Sequence, residues 1–447
     1  MVRSLLALVI VVSLSACSGG SDNSTSSQTA PPPGSTTPQP TAQAGRFNGP
    51  VSSMAPVPNG NGDVYVAGHF TTYNNQPVRP VVRLRPDDTL NDSFKLTDTV
   101  SAVSSTTLIP AIAAADDGSG DLYIAEVFVG IDDSLDDKAQ VWKVTSGGAM
   151  ASGFTPGTAR EFGSFPTPTH TDILALVPVG DGSGRVYVGG LFSQYNQTPV
   201  VHLVRLSSNG TIDPTFNASA STTSAPGVRD LLPAKDGSGD LYVMSYGWAD
   251  DGGATPTLGS LSVYRRNADG VQDPSFATFT SFDRLRFFAL VEDGSGDIFV
   301  SGRFVRCCGL NELVPGFVRL NPDGTVDQTS SRPQTGFPKP MAKATDGTND
   351  WFVVTNVVNT TEGTLAGSLL ERYKADGTLD LSFTAGQTNI ADTPQCTVIN
   401  HVLCDGIEIV MSAPDATGDI YVAGGFTTYN SVPVGHIVRI NRDGTFE

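Results

Sequence analysis

Gly62-Asp63-Val64-Tyr65-Val66-Ala67-Gly68 is a run of consecutive apolar residues around one aromatic, bracketed by glycines, and it returns along the chain. The copies are Gly120-Asp121-Leu122-Tyr123-Ile124-Ala125, Gly184-Arg185-Val186-Tyr187-Val188-Gly189-Gly190, Gly239-Asp240-Leu241-Tyr242-Val243, Gly296-Asp297-Ile298-Phe299-Val300-Ser301-Gly302, Asn349-Asp350-Trp351-Phe352-Val353 and Gly418-Asp419-Ile420-Tyr421-Val422-Ala423-Gly424. Their central aromatics are 58, 64, 55, 57, 53 and 69 residues apart, so one supersecondary unit has been copied along the chain. Because the run is apolar at successive positions, both faces of the strand must be buried; a sheet with one wet face would alternate.

Unit three shows what surrounds that strand. Leu174-Ala175-Leu176-Val177-Pro178 reads as a first strand, and Gly180-Asp181-Gly182-Ser183-Gly184 as the turn into the second. A loop holding Tyr195-Asn196 leads to a third strand at His202-Leu203-Val204-Arg205-Leu206, and Asn209-Gly210, a strong hairpin signal, turns into a last strand from Ile212 to Phe216. Sheets of this kind stacked face to face about an axis bury both faces of the second strand. The expected fold is therefore all-β, a seven-bladed β-propeller of four-stranded antiparallel blades spanning residues 46–447.

The chain ends support a ring over a linear stack. The last unit breaks off at Asp443-Gly444-Thr445-Phe446-Glu447, where unit three continues to Thr215-Phe216-Asn217. Arg46-Phe47-Asn48 resembles the missing tail, and an N-terminal strand completing the last blade would cover an open edge.

Composition agrees. Gly and Pro number 48 and 30 while charged residues make up only 16%, a mix that suits short strands and tight turns. The formal net charge is −18, which repels phosphate backbones, so nucleic acid is excluded as a partner class.

A phenylalanine, Tyr-Asn in the next loop and then Arg-Leu-Asn-x-Asp-Gly recur: Phe70, Tyr73, Asn74; Phe192, Tyr195, Asn196; Phe426, Tyr429, Asn430; and Arg319-Leu320-Asn321-Pro322-Asp323-Gly324-Thr325-Val326-Asp327. This pattern resembles the delta-60 repeat, a β-propeller family of bacterial surface and secreted proteins. The resemblance covers about residues 46–447, with units two, four and six departing from it at Tyr-Asn. It implies the fold and an envelope setting, and no particular activity.

Residues 1–16 read as a signal peptide, with Arg3 before the apolar run Leu5 to Leu14. That run is shorter than the about 20 residues a membrane-spanning helix needs. Leu14-Ser15-Ala16-Cys17 resembles the lipobox of bacterial lipoproteins, which implies lipidation at Cys17; Ser18 rather than Asp after it points to the outer membrane. From 17 to 45 the chain is Ser, Thr, Pro and Gly with almost nothing to bury, the composition of a disordered tether.

Chemistry-bearing residues divide into recurrent and unit-specific ones. Arg83, Lys143, Arg205, Arg265, Arg319, Arg372 and Arg439 share one third-strand position, and Asp213, Asp273, Asp327, Asp380 and Glu447 follow on the fourth strand, so intrablade ion pairs are expected. Asp-Gly-Ser-Gly-Asp at 117–121, 236–240 and 293–297 reads as turn chemistry, lacking the alternate carboxylates and later acid of a calcium loop. The loops between second and third strands differ between units and are the candidate ligand face: Asp132, Asp133, Asp136 and Asp137 in unit two, and Trp248, Asp250 and Asp251 in unit four. Calcium at such acidic loops is the one cofactor the residues suggest. Cys307 and Cys308, with Cys396 and Cys404, are candidate disulfide cysteines, their pairing open. Neither a metal-binding histidine spacing nor a nucleophile elbow occurs, and no catalytic residue is assigned.

These readings lead to a membrane-anchored lipoprotein whose propeller is a non-enzymatic scaffold for a protein or glycan. The alternative is a polysaccharide hydrolase or lyase using loop carboxylates.

Overall fold

The computed structural model describes residues 46–58, 60–97, 107–128, 138–161, 171–218, 227–249, 257–281, 284–304, 314–327, 338–358, 365–374, 378–389 and 406–446. They belong to one compact unit, Ala42–Glu447. The signal segment, Cys17 and the tether lie outside the described residues, as do Asp132, Asp133, Asp136, Asp137, Asp250, Asp251, Cys307, Cys308, Cys396, Cys404 and Glu447.

Among the described residues there is no α-helix, and the strands pair antiparallel. In unit three Asp172–Pro178, Val186–Leu191 and Leu203–Leu206 form a meander with the central strand in the middle. The same order recurs from Val51–Pro56, Val64–Gly68 and Val81–Leu84 at one end to Ile407–Ser412, Ile420–Gly424 and Ile437–Ile440 at the other. Second strands are buried on both faces, as in Val64–Gly68, which accounts for their unbroken apolar runs.

The last strand differs from expectation. After Leu206 the chain makes only an isolated bridge to Ile212 and then turns away. Asp213 Oδ1 accepts the Thr215 N–H at 2.9 Å, an Asx turn, and Pro214 has no N–H to offer a ladder. The true outer strand comes later, at Gly157–Arg160, Phe279–Ser281 and Gly386–Asn389, on the way to the next unit. Gly157–Arg160 pairs with Lys138–Val144 of its own unit and with Gln194–Tyr195 of the next, so one sheet spans both units.

Arg46-Phe47-Asn48 also sits in a register other than the one its likeness to Thr215-Phe216-Asn217 suggests. It occupies the outer-strand position: Phe47 N–H donates to Gly435 O at 3.1 Å in the last unit, and Phe47 bridges to Tyr73 in the first. Asn48 Oδ1 accepts the N–H groups of Thr71 and Thr72 at 2.8 and 2.9 Å, as Asn389 Oδ1 accepts those of Thr427 and Thr428 at 2.9 and 2.8 Å. Hydrogen bonding to both neighbours, rather than the aromatic at its centre, decides where the segment lies.

First strands pack side by side. Val51–Pro56 touches Thr107–Ala114, which touches Asp172–Pro178, and so on through Gly227–Pro233, Arg284–Leu290, Pro338–Lys343 and Ile407–Ser412, which in turn touches Val51–Pro56. Each of them carries a register shift near its start, as between Val228 and Asp230.

Candidate functional site

The recurrent base is a structural clasp. Its principal partners, however, are the two acids of the turn before the second strand, not the acid that follows it. Arg319 Nη2 donates to Asp293 Oδ2 at 2.7 Å and Arg319 Nε to Asp297 Oδ2 at 2.5 Å, while Asp327 stands 3.7 Å away. Arg265, Arg372 and Arg439 grip Asp236 and Asp240, Asp346 and Asp350, and Asp415 and Asp419 in the same way, and Lys143 takes Asp117 and Asp121. Pairing across the hairpin sets the second-strand turn opposite the third strand, as in Tyr187↔Arg205, so the nearest acids in space are not the nearest downstream in sequence. Units one and three depart: the turn of unit one has the single acid Asp63, which takes Arg83 Nε at 2.7 Å, and in unit three Arg185 replaces the second turn acid, so that Asp213 accepts from both Arg205 Nε, at 2.8 Å, and Arg185 Nη1, at 3.0 Å.

The turn acids do both jobs. Asp117 Oδ1 accepts the Ser119 N–H at 3.0 Å while its other oxygen takes Lys143 Nζ at 2.9 Å. Burial pushes the Asp117 carboxyl up, but the hydrogen bonds from Lys143 and Ser119 outweigh it and hold it at about 2. The cations also lie over the central aromatics, Arg205 5.8 Å from the Tyr187 ring and Arg265 5.4 Å from that of Tyr242. These clasps reach across to neighbouring units: Arg205 Nη1 donates to Ala268 O at 2.7 Å, Arg372 Nη1 to Arg442 O at 3.0 Å and Arg439 Nη1 to Pro86 O at 3.1 Å.

Tyr-Asn is a staple between units. Tyr195 and Tyr429 are fully buried, each with its hydroxyl against the Cα of a glycine, Gly157 or Gly386, on the neighbouring outer strand. Asn196 (φ 47°) and Thr158 exchange two hydrogen bonds of 2.8 Å, N–H to side-chain Oδ1 one way and N–H to carbonyl the other. Asn430 does the same with Gln387.

With those groups committed to structure, a cavity of about 920 Å³ opens among the described residues. It lies where the first strands of units three to six meet their turns, at Pro178, Pro233, Leu290 and Lys343. The variable loops leave the opposite ends of the strands. Its wall is largely apolar, including Leu231, Phe287, Phe288 and Trp351, with Asp181, Arg185, Asp230, Lys235, Glu292 and Lys343 interspersed. Lys235 pairs with Glu292, whose backbone oxygen accepts Lys343 Nζ at 3.0 Å. Among the described residues Asp230 accepts only the N–H of Leu231, at 2.8 Å; burial drives its carboxyl up to about 6, against the weaker pull of that bond and of Arg229.

Of the expected ligand-face residues only Trp248 falls within a described strand, Leu241–Ala249, with its backbone opposite Leu258. Sequence reasoning passed over Asp230. The signal was available: at the same position after the register shift the other units carry Ser53, Ala111, Ala175, Phe287 and Ile409. No cluster of His, Cys, Asp and Glu able to hold a metal ion occurs among the described residues. His202 and His436 start third strands in a left-handed conformation, and burial lowers both imidazoles to about 4.

Four stretches of the chain, 60–94, 182–216, 294–329 and 416–447, match the model of a family described as a β-propeller domain of unknown function, DUF5122. These are repeats of β-propeller type, centred on units one, three, five and seven. Among solved structures, the C-terminal WD40 domain of Sif2 is similar at 10% identity and TM-score 0.45 over 90% of this chain and 98% of that domain. A GH74 xyloglucanase from Xanthomonas campestris is similar at 14% identity and TM-score 0.46 over 90% of this chain; the match spans 56% of the enzyme's length. Neither likeness is close enough to carry an argument about function. Comparison with curated proteins finds no match.

Proposed function

We propose that this protein is a lipoprotein anchored through Cys17 at the bacterial envelope, with its seven sheets closed into a propeller by Arg46-Phe47-Asn48, and that the propeller is a non-enzymatic scaffold binding a protein or glycan. Closure is supported by the hydrogen bonds Phe47 makes to Gly435 and Asn48 to Thr71 and Thr72, and by the Arg439 contact with Pro86. The single observation that carries the binding reading is the contrast between committed and free charge: the repeated cations and turn acids are tied into clasps, while a roomy apolar-walled cavity remains at one end of the strands. Mass spectrometry of the mature N-terminus tests the anchor; an unmodified Cys17 would sink it. Binding of envelope glycans to the purified protein, lost when the loop around Asp132 or Trp248 is replaced or the cavity is filled, tests the scaffold.

A second reading, a polysaccharide hydrolase or lyase, is favoured by Asp230, whose carboxyl in an apolar-walled cavity has the raised pKa of a general acid. It needs a second carboxylate within about 5 to 9.5 Å. Release of product from a glycan, abolished in Asp230→Asn, would establish it over the scaffold.

A further inference from the structure

Three carboxylates line the cavity between units three and six, and two are already neutralised: Asp181 by Arg185, and Glu292 by Lys235 and Lys343. The third, Asp230, lines the cavity with no ion pair among the described residues, and the one hydrogen bond it accepts from them, from Leu231 N–H, engages Oδ1 and not Oδ2. Every other unit with a described position there carries a small or apolar residue, so the acid is not required by the strand. The cavity's cations, by contrast, are spoken for: Arg185 and Arg205 share Asp213, and both lysines meet Glu292. An anionic ligand would compete with Asp213 and Glu292 for those cations, whereas a cation meets an unpaired acceptor. A metal ion would need further ligands, and no such cluster is present among the described residues.

We propose that this cavity binds an amine: a ligand with a protonated amino group on an apolar body, its ammonium held by Asp230 Oδ2 and its body against the wall formed by Leu231, Phe287, Phe288 and Trp351. An ammonium donates to the carboxylate, and an aromatic wall adds cation–π attraction to apolar burial. The proposal rests on the scaffold reading only in taking the cavity as a binding site.

Hexylamine and hexanol are matched probes that differ in the charged head. Calorimetric titration of the purified protein at about pH 8, where Asp230 is ionised, should give one-site binding of hexylamine about tenfold or more tighter than hexanol, a gap of ~1.4 kcal/mol. In Asp230→Asn the two probes should bind alike. Equal affinities in the unaltered protein, or an undiminished preference in Asp230→Asn, overturn the amine assignment and leave the scaffold reading standing. Binding of neither probe overturns the cavity as a site. The comparison on the unaltered protein decides the matter even where the variant fails to fold.

Discussion

Arg46 and Asn74 hold each other twice: Arg46 N–H donates to Asn74 Oδ1 at 2.9 Å, and Asn74 N–H donates to Arg46 O at 2.9 Å. The exchange is the one that Thr158 makes with Asn196 and Gln387 with Asn430, so one side chain in a left-handed turn recognises an outer strand at three joints.

Asn196→Gly keeps the turn conformation and removes only the side-chain acceptor, and it should cost ~0.5–1.5 kcal/mol. Asn196→Ala adds the penalty of a left-handed non-glycine, roughly 1–2 kcal/mol more. Urea unfolding of both variants checks the order; an alanine variant as stable as the glycine one refutes the role given to the turn.

Gly157→Ala would drive a Cβ into the Tyr195 hydroxyl, and Gly386→Ala into that of Tyr429. Overpacking of this kind costs about 1–3 kcal/mol. Gly153→Ala, whose Cβ meets nothing within 4 Å, should be neutral or slightly stabilising, and thermal unfolding of the three compares them directly.

Asp213 pairs with two arginines, its side chain only 7% exposed; Asp213→Asn strands the buried Arg205, while Arg185 keeps Asp181. Loss of one partner of a buried pair costs roughly 3–5 kcal/mol. Arg185→Ala, which leaves the Arg205 pair whole, should cost well under half of that, and Arg185→Asp should rescue part of the Asp213→Asn loss by restoring the turn acid other units use. Failure of that rescue would show that the turn acid and Asp213 are not interchangeable partners.

Asp117, Asp181 and Asp293 are held at about 2, below their ordinary 3.8, so the unfolded chain binds more protons between those values. Their stabilisation is complete above about pH 4 and is lost as the pH falls to about 2. His202 and His436, lowered to about 4, withdraw stability as the pH falls from 6.5, whereas Asp88 and Asp230, raised to about 6, return it over much of the same interval. The urea midpoint should therefore stay nearly level from about pH 7 to 4 and drop steeply below. A steady decline beginning at pH 6 would mean that the two carboxyls are not raised.

The second and third strands were legible because their apolar runs and the hairpin residues act within a few positions of one another. Phe216 was placed on a strand it does not form, since Asp213 and Pro214 favour a local turn that an aromatic-rich pattern conceals. Pairing of the recurrent arginines was foreseen, but not with Asp293 or Asp297, 26 and 22 residues upstream of Arg319, because spatial proximity there is set by strand register. The meaning of Tyr-Asn needed the neighbouring unit. Asp230 drew no reading of its own, because its surroundings come from first strands of other units that meet it only at the cavity.

The outer strand and the asparagine that grips it travel in one stretch of sequence, as Gly157–Arg160 does with Asn196, yet that strand pairs with the third strand of the preceding unit. At the three joints with the asparagine, the stretch brings its own seal for the copy before it. A duplication or deletion of one such stretch therefore hands the neighbouring copy a matching seal and leaves no new raw edge, so the number of copies can drift during evolution without any intermediate being forced to aggregate.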